Sequence, residues 1–151
     1  MADVSRPSFT PEELSLAVAS SATALPYVMV ALAREFGRSP DESAALVGRL
    51  FAPGWQEAKG RGALEIARLM ALNKVSCGAE VRSLTGDDDH AEARLVGMPT
   101  EDEVAFFGLS MADVDCSYGT VVPIAESLGL AADWRRDGDE IVITVRRVTA
   151  P

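Results

Sequence analysis

Two cysteines and one histidine are all the thiols and imidazoles in this 151-residue chain. Cys77 and Cys116 form no CxxC pair, and with His90 as the single imidazole a Cys/His zinc site has too few ligands. The chain also lacks GxGxxG, GxxxxGK, HExxH and GxSxG, so the common nucleotide, zinc-protease and α/β-hydrolase readings lose their main support. Neither a metal nor a cofactor is expected. Basic residues are scarce as well: 14 Lys and Arg stand against 23 Asp and Glu, a formal net charge of −9. Nucleic-acid affinity comes from neutralising phosphates, so that balance argues against DNA or RNA as a partner, and against an anionic membrane surface. No secretion signal precedes the cysteines, so two free thiols in a reducing cytoplasm are expected.

What is present reads as one globular domain spanning 1–151. The hydrophobic fraction of 48% and charged fraction of 25% are those of a packed domain. From Leu14 to Ala33, "LSLAVASSATALPYVMVALA", no residue is charged. Its length could span a bilayer. Serines, Thr23 and Pro26 dilute the run, however, and Glu12 and Glu13 precede it where a signal peptide would be basic. Burial in the domain centre or in a subunit interface is the simpler expectation, with a homodimer as the partner state.

Three capping boxes announce helices: Thr10-Pro11-Glu12-Glu13, Ser39-Pro40-Asp41-Glu42 and Thr100-Glu101-Asp102-Glu103. The first helix carries Leu14, Val18, Ser21, Leu25, Val28, Leu32 and Phe36 on one stripe, in phase through Pro26, as one kinked helix or two. "SPDESAALVGRLF" reads as a second helix. "WQEAKGRGALEIARLMALNK" reads as a third, with Trp55, Ala58, Gly62, Ile66, Leu69 and Asn73 along one side. Gly60 and Gly62 within it each cost about 1 kcal/mol relative to alanine, which points to close approach of another backbone or a ligand.

Period-two alternation then marks "GAEVRSL" and "HAEARLVG" as a hairpin around Gly86-Asp87-Asp88-Asp89. That turn has no calcium-loop spacing, and His90 is read as part of a solvated turn. A short helix at "EVAFFGLS", an irregular link "MADVD", a helix over "YGTVVPIAESLGL" and a second hairpin around Asp137-Gly138 complete the chain. The fold class is α+β: a helical N-terminal half packed on an antiparallel sheet built from two hairpins.

Candidate chemistry centres on Cys116. A thiol at a helix start has its thiolate favoured by free N–H groups, whereas Asp113 and Asp115 oppose ionisation. Cys116 is therefore a nucleophile, a ligand contact or a core residue. Glu103, Asp113 and Asp115 flank Phe106 and Phe107, and carboxylates beside apolar walls can be split into an acid and a base. Trp55, Glu65, Met70, Asn73, Phe106, Phe107 and Tyr118 are the candidate substrate contacts. The thiol and its acidic companions are expected to open onto a hollow walled by the helix bearing Trp55.

The stretch Asp115 to Arg147, "DCSYGTVVPIAESLGLAADWRRDGDEIVITVRR", resembles the C-terminal part of 4-vinyl-reductase domains. It is similar also to L-2-amino-thiazoline-4-carboxylic acid hydrolase-like proteins. The likeness rests on Cys116 before a helix, the Leu128-Gly129-Leu130 turn and the closing strand pair. Such domains often carry a further cysteine on the last strands, where this chain has Glu140 and Ile141. The resemblance implies a small-molecule pocket between helices and sheet, often in a dimer. The expectation is thus a metal-independent hydrolase, cyclase or isomerase acting on a compact heterocyclic or amino-acid-derived substrate. A non-catalytic small-molecule-binding or dimeric scaffold subunit is the alternative.

Overall fold

The computed structural model describes residues 9–148. Two hairpins, β1 (Glu80–Gly86) with β2 (His90–Val96) and β3 (Leu130–Asp137) with β4 (Glu140–Arg147), join through β2 and β4 into one antiparallel sheet of order β1-β2-β4-β3. The β2–β4 register aligns Ala91, Ala93 and Leu95 with Val145, Ile143 and Ile141, so one face of the sheet is uniformly apolar. The other face is ionic. Arg94 pairs with Glu92, Asp137 and Glu140, and its register partner Val142 is fully buried although it belongs to that face. Arginine stems cover apolar surface while their heads stay wet.

Helices cover only the apolar face. Helix α3 (Ala63–Val75) packs on β1, β2 and β4, and α6 (Val121–Ser127) packs on β3. Outside them lies α2 (Pro40–Phe51), and α1 (Pro11–Glu35) rests on α2 and on α5 (Met111–Asp115). Short α4 (Glu101–Phe106) connects the first hairpin to α5. The α+β layering is the one the periodicities call for.

The first two capping boxes form as written, each with Thr10 or Ser39 and its glutamate satisfying two backbone donors. At Thr100 the box is diverted: its N–H donates to Tyr27 Oη at 3.2 Å, while Glu103 accepts from Thr100 Oγ1 and from the Tyr27 hydroxyl. The cap of α4 is thereby tied to α1. A fourth box, Ser110 with Asp113, turns the expected irregular link "MADVD" into helix α5.

The expected third helix is two elements. Residues Ala52–Ala58 form a 3₁₀ segment that holds Trp55, and α3 starts afresh at Ala63 with Gly62 as its N-cap. The hairpin tip caps that start: Ala63 and Leu64 donate to the carbonyls of Asp88 and Asp87 at 2.9 and 3.0 Å. A Cβ on Gly62 would collide with the Asp88 carboxylate, so this glycine answers to the close approach of another segment.

Helix α1 runs unbroken through Pro26, whose ring is buried. Its stripe, however, faces away from the body. Tyr27, Val30 and Ala33 are its buried residues, whereas Leu14, Val18, Leu25, Leu32 and Phe36 are all at least half exposed. By length and composition α1 could cross a membrane.

Candidate functional site

A cavity of about 400 Å³ opens between α1, α2, α3 and the segments Ala52–Ala58 and Cys116–Thr120. Its walls are mostly apolar, with Leu25, Pro26 and Met29 from α1, Val47 and Phe51 from α2, and Ile124 from α6. Such size and lining are typical of small-molecule sites. Among its lining residues there is no Asp or Glu, in a chain with 23 of them. The single charged group in the wall is Lys74.

Lys74 is buried, a rare position for a lysine. It is there because it continues the inward stripe of α3, after Ala63, Ile66, Ala67, Met70 and Ala71. Its Nζ donates to the Ser117 carbonyl at 3.0 Å and to Thr120 Oγ1 at 3.2 Å, and lies 4.9 Å from the centre of the Tyr118 ring. Among the described residues no carboxylate pairs with it. Desolvation pushes its pKa down to about 8, so it is still mostly an ammonium at neutral pH. An ammonium has three protons to donate, and these contacts use two. Ser117, whose carbonyl Lys74 bonds, also lines the cavity, and its Oγ is buried without any hydrogen-bond partner. Orphaned polar atoms are rare inside proteins and call for an explanation.

The positions that fix this pair follow from close packing. The Cys116–Thr120 segment lies against α2 at Gly48, where an added Cβ would fall 2.5 Å from both the Thr120 carbonyl oxygen and Pro123 Cγ. On the other side Asp115 accepts two bonds from Arg136 on β3, at 2.6 and 2.5 Å. Ser117 is thus held between a helix and a strand.

The residues singled out from sequence fall in several places. Trp55 and Asn73 line the cavity, and both also line a shallower hollow of about 340 Å³ with Arg61 and Glu57. Tyr118 is buried just behind Lys74, its hydroxyl donating to the Met98 carbonyl at 3.0 Å. Met70 is core. Glu65 pairs with Arg68 and Arg61 on the surface, Phe106 is 83% exposed, and Phe107 stacks on Tyr27 at 5.4 Å. None of these last four borders the cavity.

Cys116 and its acidic companions do not open onto the hollow either, contrary to the expected arrangement. The thiol donates to the Ala112 carbonyl at 3.3 Å. Burial, the nearby Asp41 carboxylate and the charges of Asp113 and Asp115 push its pKa up to about 11, away from a reactive thiolate. Asp115 is engaged by Arg136, Asp113 caps α5 and lies 3.6 Å from Arg34, and Glu103 belongs to the Tyr27–Thr100 cap. The hollow is real, but the residue that reaches it is the next one along, Ser117.

No family model matches the chain, and no curated protein matches it in sequence. The likeness of Asp115 to Arg147 to 4-vinyl-reductase domains therefore rests on those residues alone.

Proposed function

We propose that this protein binds a compact, mostly apolar small molecule that carries a carboxylate or similar anionic head, with the head between Lys74 and Ser117. The observation that supports this reading is a buried ammonium in an acid-free cavity wall, bonded to the carbonyl of a lining serine whose own hydroxyl has no partner. A buried charge without a counter-ion costs several kcal/mol, roughly, and a carboxylate would supply that counter-ion. One of its oxygens would take the third Nζ proton and the other the Ser117 hydroxyl proton. The apolar body would then fill the space between Leu25, Met29 and Phe51.

Binding rather than thiol-based hydrolysis or cyclisation is the favoured reading, because Cys116 is deactivated and stands outside the cavity. Ser117 is not set up as a nucleophile, since Lys74 bonds its carbonyl rather than its Oγ. Cytoplasmic placement belongs to the same proposal and draws on the two unpaired thiols.

The test uses 1-anilinonaphthalene-8-sulfonate, an apolar anion whose fluorescence reports apolar sites, displaced in turn by 3-phenylpropionate and by its neutral amide. The acid should displace the dye at concentrations at least about tenfold lower than the amide, a difference of about 1.4 kcal/mol. Lys74→Met should abolish that preference while leaving the amide's affinity in place. Equal displacement by acid and amide, or an acid preference that survives Lys74→Met, would overturn the reading.

A further inference from the structure

The exposed side of α1 carries a stripe spaced by 4, 3, 4, 3 and 4 residues, large and apolar except at Ser21: Leu14, Val18, Ser21, Leu25, Val28 and Leu32. That is the alternation of a coiled-coil seam. At 100° per residue it runs along the side of α1 opposite to the buried Tyr27, Val30 and Ala33. Alanine recurs beside it at every seventh position, at Ala17, Ala24 and Ala31, which lets a second helix come close. The first turns of the helix have no cover on any side, since residues 11–20 are all exposed. A seam of this kind is an unfilled half of a helix pair.

We infer that α1 pairs antiparallel with α1 of a second copy, about a two-fold axis that passes between Ser21 and Leu25. The stripe reads almost the same from either end. Placing Leu14 opposite Leu32 of the second copy also places Val18 opposite Val28 and Ser21 opposite Leu25. It brings Glu12 of one helix level with Arg34 of the other. A parallel pairing would instead set Glu12 and Glu13 against their own copies. A surface that complements itself under inversion of direction is what a two-fold interface requires.

A bilayer is the competing cover for such a helix. Two observations favour the second copy. Apart from Leu16, the exposed large apolar side chains of α1 form a stripe, and the other side of the C-terminal half is packed on the protein body, so the helix cannot be surrounded by lipid without unpacking Tyr27 and Val30. The chain's charge of −9 also opposes an anionic membrane. Leu25 belongs to both the seam and the cavity wall, so pairing also brings the second copy to the rim of the cavity.

Light scattering on the purified full chain should give twice the chain mass at micromolar concentration. Val18→Glu should give the monomer mass, raising the dissociation constant at least about a hundredfold by setting a charge in each half of the seam. Because Val18 is 69% exposed in the single chain, the circular dichroism of Val18→Glu should be unchanged. Register is read by oxidation of an L14C chain mixed with an L32C chain. The mixture should yield the crossed disulfide dimer, and neither variant alone should cross-link efficiently. Monomeric wild type, a dimeric Val18→Glu, self-cross-linking of L14C, or co-flotation of monomeric wild type with phosphatidylcholine vesicles would each overturn the proposal.

Discussion

Two neighbouring clusters flank the same short turn. On one side of it Asp113, Asp115 and Cys116 hold the residue types that chemistry most often uses, and every one is spoken for: Asp113 by a helix cap, Asp115 by Arg136, the thiol by the Ala112 carbonyl. On the other side Lys74 and Ser117 are ordinary residue types, yet one keeps a proton without an acceptor and the other a hydroxyl without a partner. The first cluster is complete within the chain. The second is not. Unmet hydrogen-bonding capacity beside a cavity, rather than reactive side-chain type, is what separates a site from scaffolding here.

The comparison breaks most visibly if the two clusters respond alike to substitution. Asp115→Ala should have the largest effect, because it removes both bonds that Arg136 makes to a buried carboxylate. Charge-assisted hydrogen bonds contribute about 1.5–3 kcal/mol each, of which the partly exposed Arg136 recovers a share from water. For a domain of this size that lowers the thermal midpoint by about 10 °C. The acid preference of the protein that remains folded should persist, since Asp115 does not border the cavity. A melting curve like that of wild type would show that this cluster is not the scaffold we describe.

Lys74→Met should act in the opposite sense on stability. The folded-state pKa of Lys74 is about 8 against an ordinary lysine value of 10.5. Below pH 8 both folded and unfolded chains hold the proton, so the folded state bears the full desolvation cost. Between about pH 8 and 10.5 the unfolded chain holds it and the folded chain does not, so this group makes stability rise with pH across that window. The shift corresponds to something on the order of 3 kcal/mol. Cys116 and the tyrosines titrate in the same region with the opposite sign, but they do so in both proteins. Chemical denaturation of wild type and Lys74→Met at pH 7, 9 and 10 should therefore give a difference that shrinks as pH rises, with the variant the more stable at pH 7. A difference independent of pH would mean that Lys74 is not buried as an ammonium.

Gly48→Ala tests how the two clusters are held together. The new methyl group would meet the Thr120 carbonyl, a backbone atom that cannot swing aside, and must push α2 from the turn. Overpacking of this kind costs about 1–3 kcal/mol. Displacement of Thr120 and Ser117 should weaken binding of both the phenylpropionate and its amide, which distinguishes it from the head-group effect of Lys74→Met.

The sheet was legible in the sequence because its signals are local: alternation in twos and the Gly-Asp and Asp-Gly turns fix both hairpins within a few residues. The cap signals at Thr10 and Ser39 were as dependable, whereas the Thr100 box was diverted to Tyr27 and the box at Ser110 and Asp113 went unread. Helix phase was less so. Starting the third helix at Trp55 carries a phase through Lys59–Gly62, where the chain in fact turns, and arrives at Asn73 instead of Lys74. Begun at Ala63, the stripe of small and apolar residues ends on a lysine, and a lone cation on an inward stripe is the signal that would have found the site. For α1 the stripe was legible, but which of its two expected covers it takes was not: the largest apolar residues look outward rather than into the domain centre, and the side that packs is carried by Tyr27, Val30 and Ala33. Ser117 had no local signal, because its orphaned hydroxyl is a property of three elements meeting.

The smallest effect is expected where the sequence drew most attention. Cys116→Ser should change stability by no more than about 1 kcal/mol, as suits a thiol that is only partly buried and makes one bond to a carbonyl. Its reactivity is the sharper measure. With a pKa of about 11 against an ordinary cysteine value of 9.0, its thiolate fraction at pH 8 is about a hundredfold below that of an unperturbed cysteine. A more basic thiolate is intrinsically more nucleophilic, which returns a factor of roughly ten. Alkylation by iodoacetamide at pH 8 should thus run at least about tenfold slower than that of an unstructured cysteine peptide, and unfolding the protein in urea should remove the difference. Alkylation faster than the peptide's would mean that the thiolate is stabilised after all, and would return the acidic side of the turn to the list of reactive sites.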